Sequence, residues 1–148
     1  MRKFIAVILS ICACSTCLFG CHFLNLDTED AIEAISFAEE FCFALGEDIE
    51  LAKEYLASDS TPSKENLPKF IEDIEFKNDI HFSDGVSLKD RNGVEITWDS
   101  LGSSVCTYKF SCEIVVGIRV IDLSFAVIKN ENGYSIIHIE QGRWVAES

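Results

Sequence analysis

Proline occurs only twice, as Pro62 and Pro68, and only 12 of the 148 residues are basic against 25 acidic ones. The scarcity of proline, beside 48% hydrophobic residues, excludes a linker-like or disordered chain and predicts one folded domain. The scarcity of positive charge leaves a net charge of −13. Such a surface repels phosphate backbones and anionic headgroups, so nucleic-acid binding is not expected. No glycine-rich phosphate loop, Gly-x-Ser-x-Gly elbow or His-Glu-x-x-His pair occurs. Beyond residue 21 there is no Cys-x-x-Cys pair and no zinc-like Cys/His spacing, and no loop carries the alternating acidic ligands and glycine of a calcium site. Neither a metal nor a cofactor is expected.

What the chain does have is concentrated at its start. Met1-Arg2-Lys3 is cationic, and Phe4 to Phe19 carries no charge, the pattern of a signal peptide. The run ends Leu18-Phe19-Gly20-Cys21, similar to a lipobox: an aliphatic residue three before the cysteine, a small residue before it, then the cysteine that receives diacylglycerol. The expected organisation is a signal peptide over 1–20, a tether over 21–27 and a single domain over 28–148, held on an envelope membrane outside the cytoplasm by a lipidated Cys21. A retained apolar anchor is the competing reading, because Phe4 to Cys21 is just long enough to span a bilayer.

Of the 7 cysteines, Cys42, Cys106 and Cys112 then remain as thiols. An oxidising envelope would permit one disulfide, Cys42 with Cys106 or Cys112; the alternative is three small buried apolar side chains. Cys106 and Cys112 sit about 20 Å apart on one extended strand and are not expected to pair with each other.

Ala31, Ala34, Ile35, Ala38, Phe41, Cys42 and Leu45 repeat at helical spacing, with Asp27, Glu29 and Asp30 at the positive end and Gly46 as the stop. Asp48 caps a second helix with Ala52, Tyr55 and Leu56 inward, ending in the polar Ser58-Asp59-Ser60. Ser63 or Asn66 caps a third carrying Leu67, Phe70, Ile71 and Ile74, with Pro68 tolerated in its first turn. From Ile80 the period changes to two. Asn92-Gly93 and Asn132-Gly133 read as hairpin turns, the former matching Leu88 with Ile96 and Val86 with Trp98. Cys106, Tyr108, Phe110, Cys112, Ile114 and Val116 form one buried face; Ile121, Leu123, Phe125 and Val127 form the next, after a tight turn near Gly117. Three helices followed by a curled antiparallel sheet make an α+β domain.

The stretches Ala38-Glu39-Glu40-Phe41-Cys42-Phe43-Ala44-Leu45-Gly46-Glu47-Asp48 and Ala126-Val127-Ile128-Lys129-Asn130-Glu131-Asn132-Gly133-Tyr134-Ser135-Ile136-Ile137 resemble the NTF2-like/cystatin-like superfamily and its small envelope lipoproteins. The resemblance implies a helix-covered conical sheet with a concave pocket, and no particular activity. Catalysis there would need an inward titratable group. A two-residue turn at Asn132-Gly133 sets Val127 opposite His138 and points His138 and Glu140 inward as base and orienting carboxylate. A three-residue loop aligns Val127 with Ile137 and Phe125 with Ile139, burying two isoleucines and exposing His138. His81 and Asp99 are isolated polar residues beside turns, and Trp98 and Trp144 read as core or rim aromatics. The leading expectation is a non-catalytic envelope module binding a protein partner or small ligand; the rival is a small lyase, isomerase or hydrolase using His138.

Overall fold

The structure, a computed structural model, describes residues 29–98 and 106–143, and of 90–98 the backbone alone. Helix α1 (Glu29–Glu47) opens on the acidic pair Glu29 and Asp30, which complements its dipole. All seven apolar positions read from its sequence are buried, and Ala44 joins them. Each large apolar side chain taken out of water there stabilises the fold by about 1.5–3 kcal/mol. Gly46 does not end this helix as expected. It lies inside the last turn, where a Cβ would come within 3.0 Å of the Phe82 carbonyl oxygen, so the glycine serves close approach. The break falls at Asp48, whose carboxylate accepts from the Glu50 amide at 2.9 Å and caps α2 (Ile49–Glu54).

Strand β1 (Leu56–Thr61) follows directly, where the sequence suggests the end of a helix and a loop. Its residues are mostly polar, yet Leu56 and Ser60 are buried. Ser63 Oγ accepts from the Asn66 side chain at 3.0 Å ahead of α3 (Leu67–Asn78), which buries Leu67, Ile71 and Ile74 and ends on Asp79 in the left-handed conformation, φ 54°. Ile80 does not begin a strand; a 3-10 turn (Phe82–Asp84) seats Phe82 in the core first.

The remaining strands are β2 (Val86–Trp98), β3 (Cys106–Val116), β4 (Arg119–Asn130) and β5 (Gly133–Gln141). The sheet order is β1-β5-β4-β3-β2. β2 to β5 are antiparallel, but β1 runs parallel to β5, so the sheet is mixed rather than purely antiparallel. The α+β class stands. Asn92-Gly93 is not a hairpin turn: it lies within β2, where Asn92 pairs with Ser111 and the register slips before Val94. Val86 and Leu88 therefore pair with Val116 and Ile114 of β3 rather than with Trp98 and Ile96. Gly117, at φ 58°, makes the expected tight turn.

The six even-numbered residues of β3 and Ile121, Leu123, Phe125 and Val127 of β4 are all buried. They pack under α1, where the Phe41 and Phe125 rings meet edge to face at 6.1 Å and Phe110 stacks on Phe125 at 5.8 Å. Among the described residues no Asp, Glu, His, Lys or Arg is buried, so the space under the helices is filled by apolar and aromatic side chains. No described helix is long and apolar enough to cross a membrane.

Candidate functional site

A groove of about 270 Å³ lies where α1 meets the start of β5, lined by Ile32, Glu33, Ser36, Phe37, Glu40 and Tyr134. Positions 33, 36, 37 and 40 recur at the three- and four-residue spacing of one helix face, so α1 alone builds one wall. The other wall arrives from the far end of the chain. Asn130 pairs with Gly133 across the two-residue turn Glu131-Asn132, which delivers Tyr134 against α1. Its hydroxyl donates to Glu33 Oε2 at 2.8 Å, and its ring lies 5.9 Å from Phe37, which in turn lies 5.0 Å from Tyr55. Beside the groove Lys129 Nζ donates to Asp30 at 2.5 Å and sits 5.3 Å from the Tyr134 ring centroid.

These contacts shift the titration of the groups involved. Burial first, and then the hydrogen bond to Glu33, push the Tyr134 phenol up to about 12, against the lowering pull of Lys129. The bond to Asp30 holds the Lys129 ammonium above its ordinary range. Burial and the nearby carboxylates of Glu40 and Glu54 raise Tyr55 as well. Lys129 is committed to Asp30, whereas Glu33 and Glu40 have no cationic partner among the described residues. The groove thus joins an apolar, aromatic floor to two carboxylates.

His138 and Glu140 lie elsewhere, in the part of β5 that keeps the register of the three-residue loop, Phe125 with Ile139, while the pairs nearer the turn are shifted by one. Near the turn Val127 pairs with Ile136, and beyond it Ala126 pairs with His138 and Phe125 with Ile139. The register slips by one at Ile137, a β-bulge that lets Ile136 and Ile139 both reach the core, at 0% and 2% exposure, although they are three apart. His138 consequently shares a face with Ala126 and Lys109, opposite the face that carries Phe125 and packs on α1. Its Nε2 lies 3.4 Å from Glu140 Oε2. The pair is real, but it sits on the outer face of the sheet rather than beneath the helices.

Around Ser111 and Ser124 that outer face is polar and internally bonded. Ser111 and Ser124 are buried with their hydroxyl oxygens 2.8 Å apart, and Ser124 Oγ donates to the Gly142 carbonyl at 2.6 Å. Arg143 bridges Asp122, at 3.1 Å, and Glu113, which also receives Lys89 at 3.3 Å. Such a network satisfies its own polar groups, which is what burial of hydroxyls demands.

Cys42, Cys106 and Cys112 are all buried, and none of the three is in a disulfide. Burial pushes the Cys42 thiol well above its ordinary range, with Cys112 and Glu39 adding to the effect. Cys112 thus acts on Cys42. His81 is largely solvated, with its Nδ1 3.9 Å from Glu75 Oε2. Cys21, Asp99 and Trp144 lie outside the described residues, as does the side chain of Trp98. No group of three or more metal-ligating side chains occurs among the described residues. Sequence reasoning missed the groove: the helix-face spacing of 33, 36, 37 and 40 was readable, but the arrival of Tyr134 from about 100 residues away was not. Comparison of the chain with family models, with curated proteins and with solved structures finds no match, so its function is argued from these residues alone.

Proposed function

We propose that this chain is a non-catalytic binding module with an NTF2-like/cystatin-like fold, held on an envelope membrane by a lipid on Cys21 and displaying its acidic domain outside the cytoplasm. The observation that carries the anchoring is the uncharged run from Phe4 to Phe19 closed by Gly20-Cys21, behind the cationic Arg2-Lys3. A signal peptidase cutting before Cys21 would leave residues 21–27 as the tether ahead of the domain that α1 (Glu29–Glu47) opens. Several acyl chains on one cysteine give stable attachment where one chain does not. The helices lying over one face of the sheet support the fold reading. A binding role is favoured over catalysis because the space under the helices holds packed apolar side chains and His138 lies on the opposite face. The partner would be an envelope protein or a small ligand.

The test is the intact mass of the membrane-extracted product of the full-length chain expressed in a bacterial host. A product starting at Cys21 with added acyl mass, lost in Cys21→Ala, is expected. An unmodified chain, cut elsewhere or uncut, would overturn the anchoring and the compartment with it.

A further inference from the structure

We propose that the groove between α1 and β5 receives an arginine or lysine side chain of a protein partner; the proposal rests on the binding-module reading and gives that partner a chemistry. The floor is apolar: Ile32, 46% exposed, lines the groove together with the rings of Phe37 and Tyr134. A half-exposed isoleucine in one groove with two aromatic rings offers a seat for a methylene stem, which long basic side chains lay along apolar surface while their charged heads stay wet. The heads of the groove are carboxylates. Glu33 and Glu40 both line it, no basic residue does among the described residues, and Lys129, beside the Tyr134 ring, is held by Asp30.

The geometry also fixes how the acceptors are presented. Tyr134 donates to Glu33 Oε2, which orients that carboxylate and leaves its second oxygen for an incoming donor. Glu40 is two helical turns further along α1, about 10 Å away, so that a basic side chain lying along the groove meets one carboxylate at each end of its reach. An anionic or purely apolar ligand would leave two carboxylates facing it without compensation. On a chain of net charge −13 the same complementarity accelerates encounter with a basic surface.

The test is an NMR titration of the full-length chain in non-ionic detergent, with labelled aromatic side chains, using the blocked tripeptide acetyl-Arg-Leu-Arg-amide and its citrulline counterpart. The expected result is saturable shifts of the Phe37 and Tyr134 rings with the arginine peptide, at least about tenfold weaker with citrulline, and weakened about threefold by Glu40→Gln at low salt. Glu33→Gln should act similarly, and Glu72→Gln on α3 should change nothing. Glu40→Gln breaks no hydrogen bond among the described residues, so its effect is read as one on binding rather than on folding. Equal response to both peptides, or no ring shifts, would overturn the proposal. So would ring signals that move with protein concentration alone, which mean a second copy in the groove, or binding that appears only after residues 22–28 are deleted, which means that the chain's own segment fills it. The titration does not depend on the modification of Cys21, so a silent groove leaves the anchoring intact, and a failed anchoring leaves the groove to be judged on its own.

Discussion

Tyr134 is the residue on which the groove turns, and its chemistry gives a direct reading of the contact. Its phenol has an ordinary value of 10.0 and is pushed up to about 12, so the folded chain holds this proton more tightly than the unfolded chain does. The stability it contributes is fully present below pH 10 and is lost as the pH rises from there through about 12. An ultraviolet difference titration against Tyr134→Phe should therefore find one tyrosine ionising late. Glu33→Gln should bring that ionisation earlier, because the hydrogen bond to the Glu33 carboxylate opposes a second negative charge, and Lys129→Met should delay it. An unmoved midpoint in Glu33→Gln would mean that burial alone sets the value.

Among the elements, β5 is decided by a single inserted residue. With Ile137 as the bulge, Ile136 and Ile139 both face the core; in a strand that alternated without interruption they would face opposite sides. Removal of Ile137 leaves Ile136, His138 and Ile139 in perfect alternation, in, out and in. Deletion of this residue should consequently cost less than about 1.5 kcal/mol in urea unfolding, whereas Ile139→Ala, which keeps the chain length and opens a cavity, should cost about 2–5 kcal/mol. The reverse order would show that the bulge itself, and not the inward pair, is what the strand needs.

The same strand shows why some of the fold was legible and some was not. The buried faces of α1 and β3 are written in their own periodicities, and the turn at Gly117 in a change of parity. The last hairpin is not, because two isoleucines three apart satisfy neither simple register. β1 escaped for another reason: Leu-Ala-Ser-Asp-Ser-Thr has almost no apolar alternation, and what makes it a strand is the edge of β5, which exists only once the rest of the sheet has formed. Asn92-Gly93 carries the residues of a tight turn, but Asn92 pairs across to Ser111 within a continuous β2. For the candidate site, the helix face of Glu33, Phe37 and Glu40 was present in the sequence, and its meaning came only from Tyr134.

For the whole molecule the dominant quantity is charge. With 25 acidic and 12 basic residues the compact state repels itself, and its surface ion pairs, such as Lys129 with Asp30 and Arg143 with Asp122, offset only part of this. Raising salt from about 10 mM to about 100 mM shortens the screening length from about 30 Å to about 10 Å and should weaken the repulsion more than those few attractions. The melting temperature, followed by circular dichroism, should rise with salt. A fall would place the balance with the ion pairs instead.

Lys129 and Tyr134 clasp the first turns of α1 through Asp30 and Glu33, partners 99 and 101 residues away in sequence. The consequence is one of timing. A chain made from its N-terminus gains α1 early, but the hairpin that clasps it comes nearly last, and β1 must wait for β5 in the same way. Until the final strand is delivered, the apolar face of α1 has an incomplete sheet to lie on. The domain is therefore built to close late and as a unit, and a chain stopped short of Tyr134 would be left open at both ends of its life history, with its first helix made and nothing to fasten it.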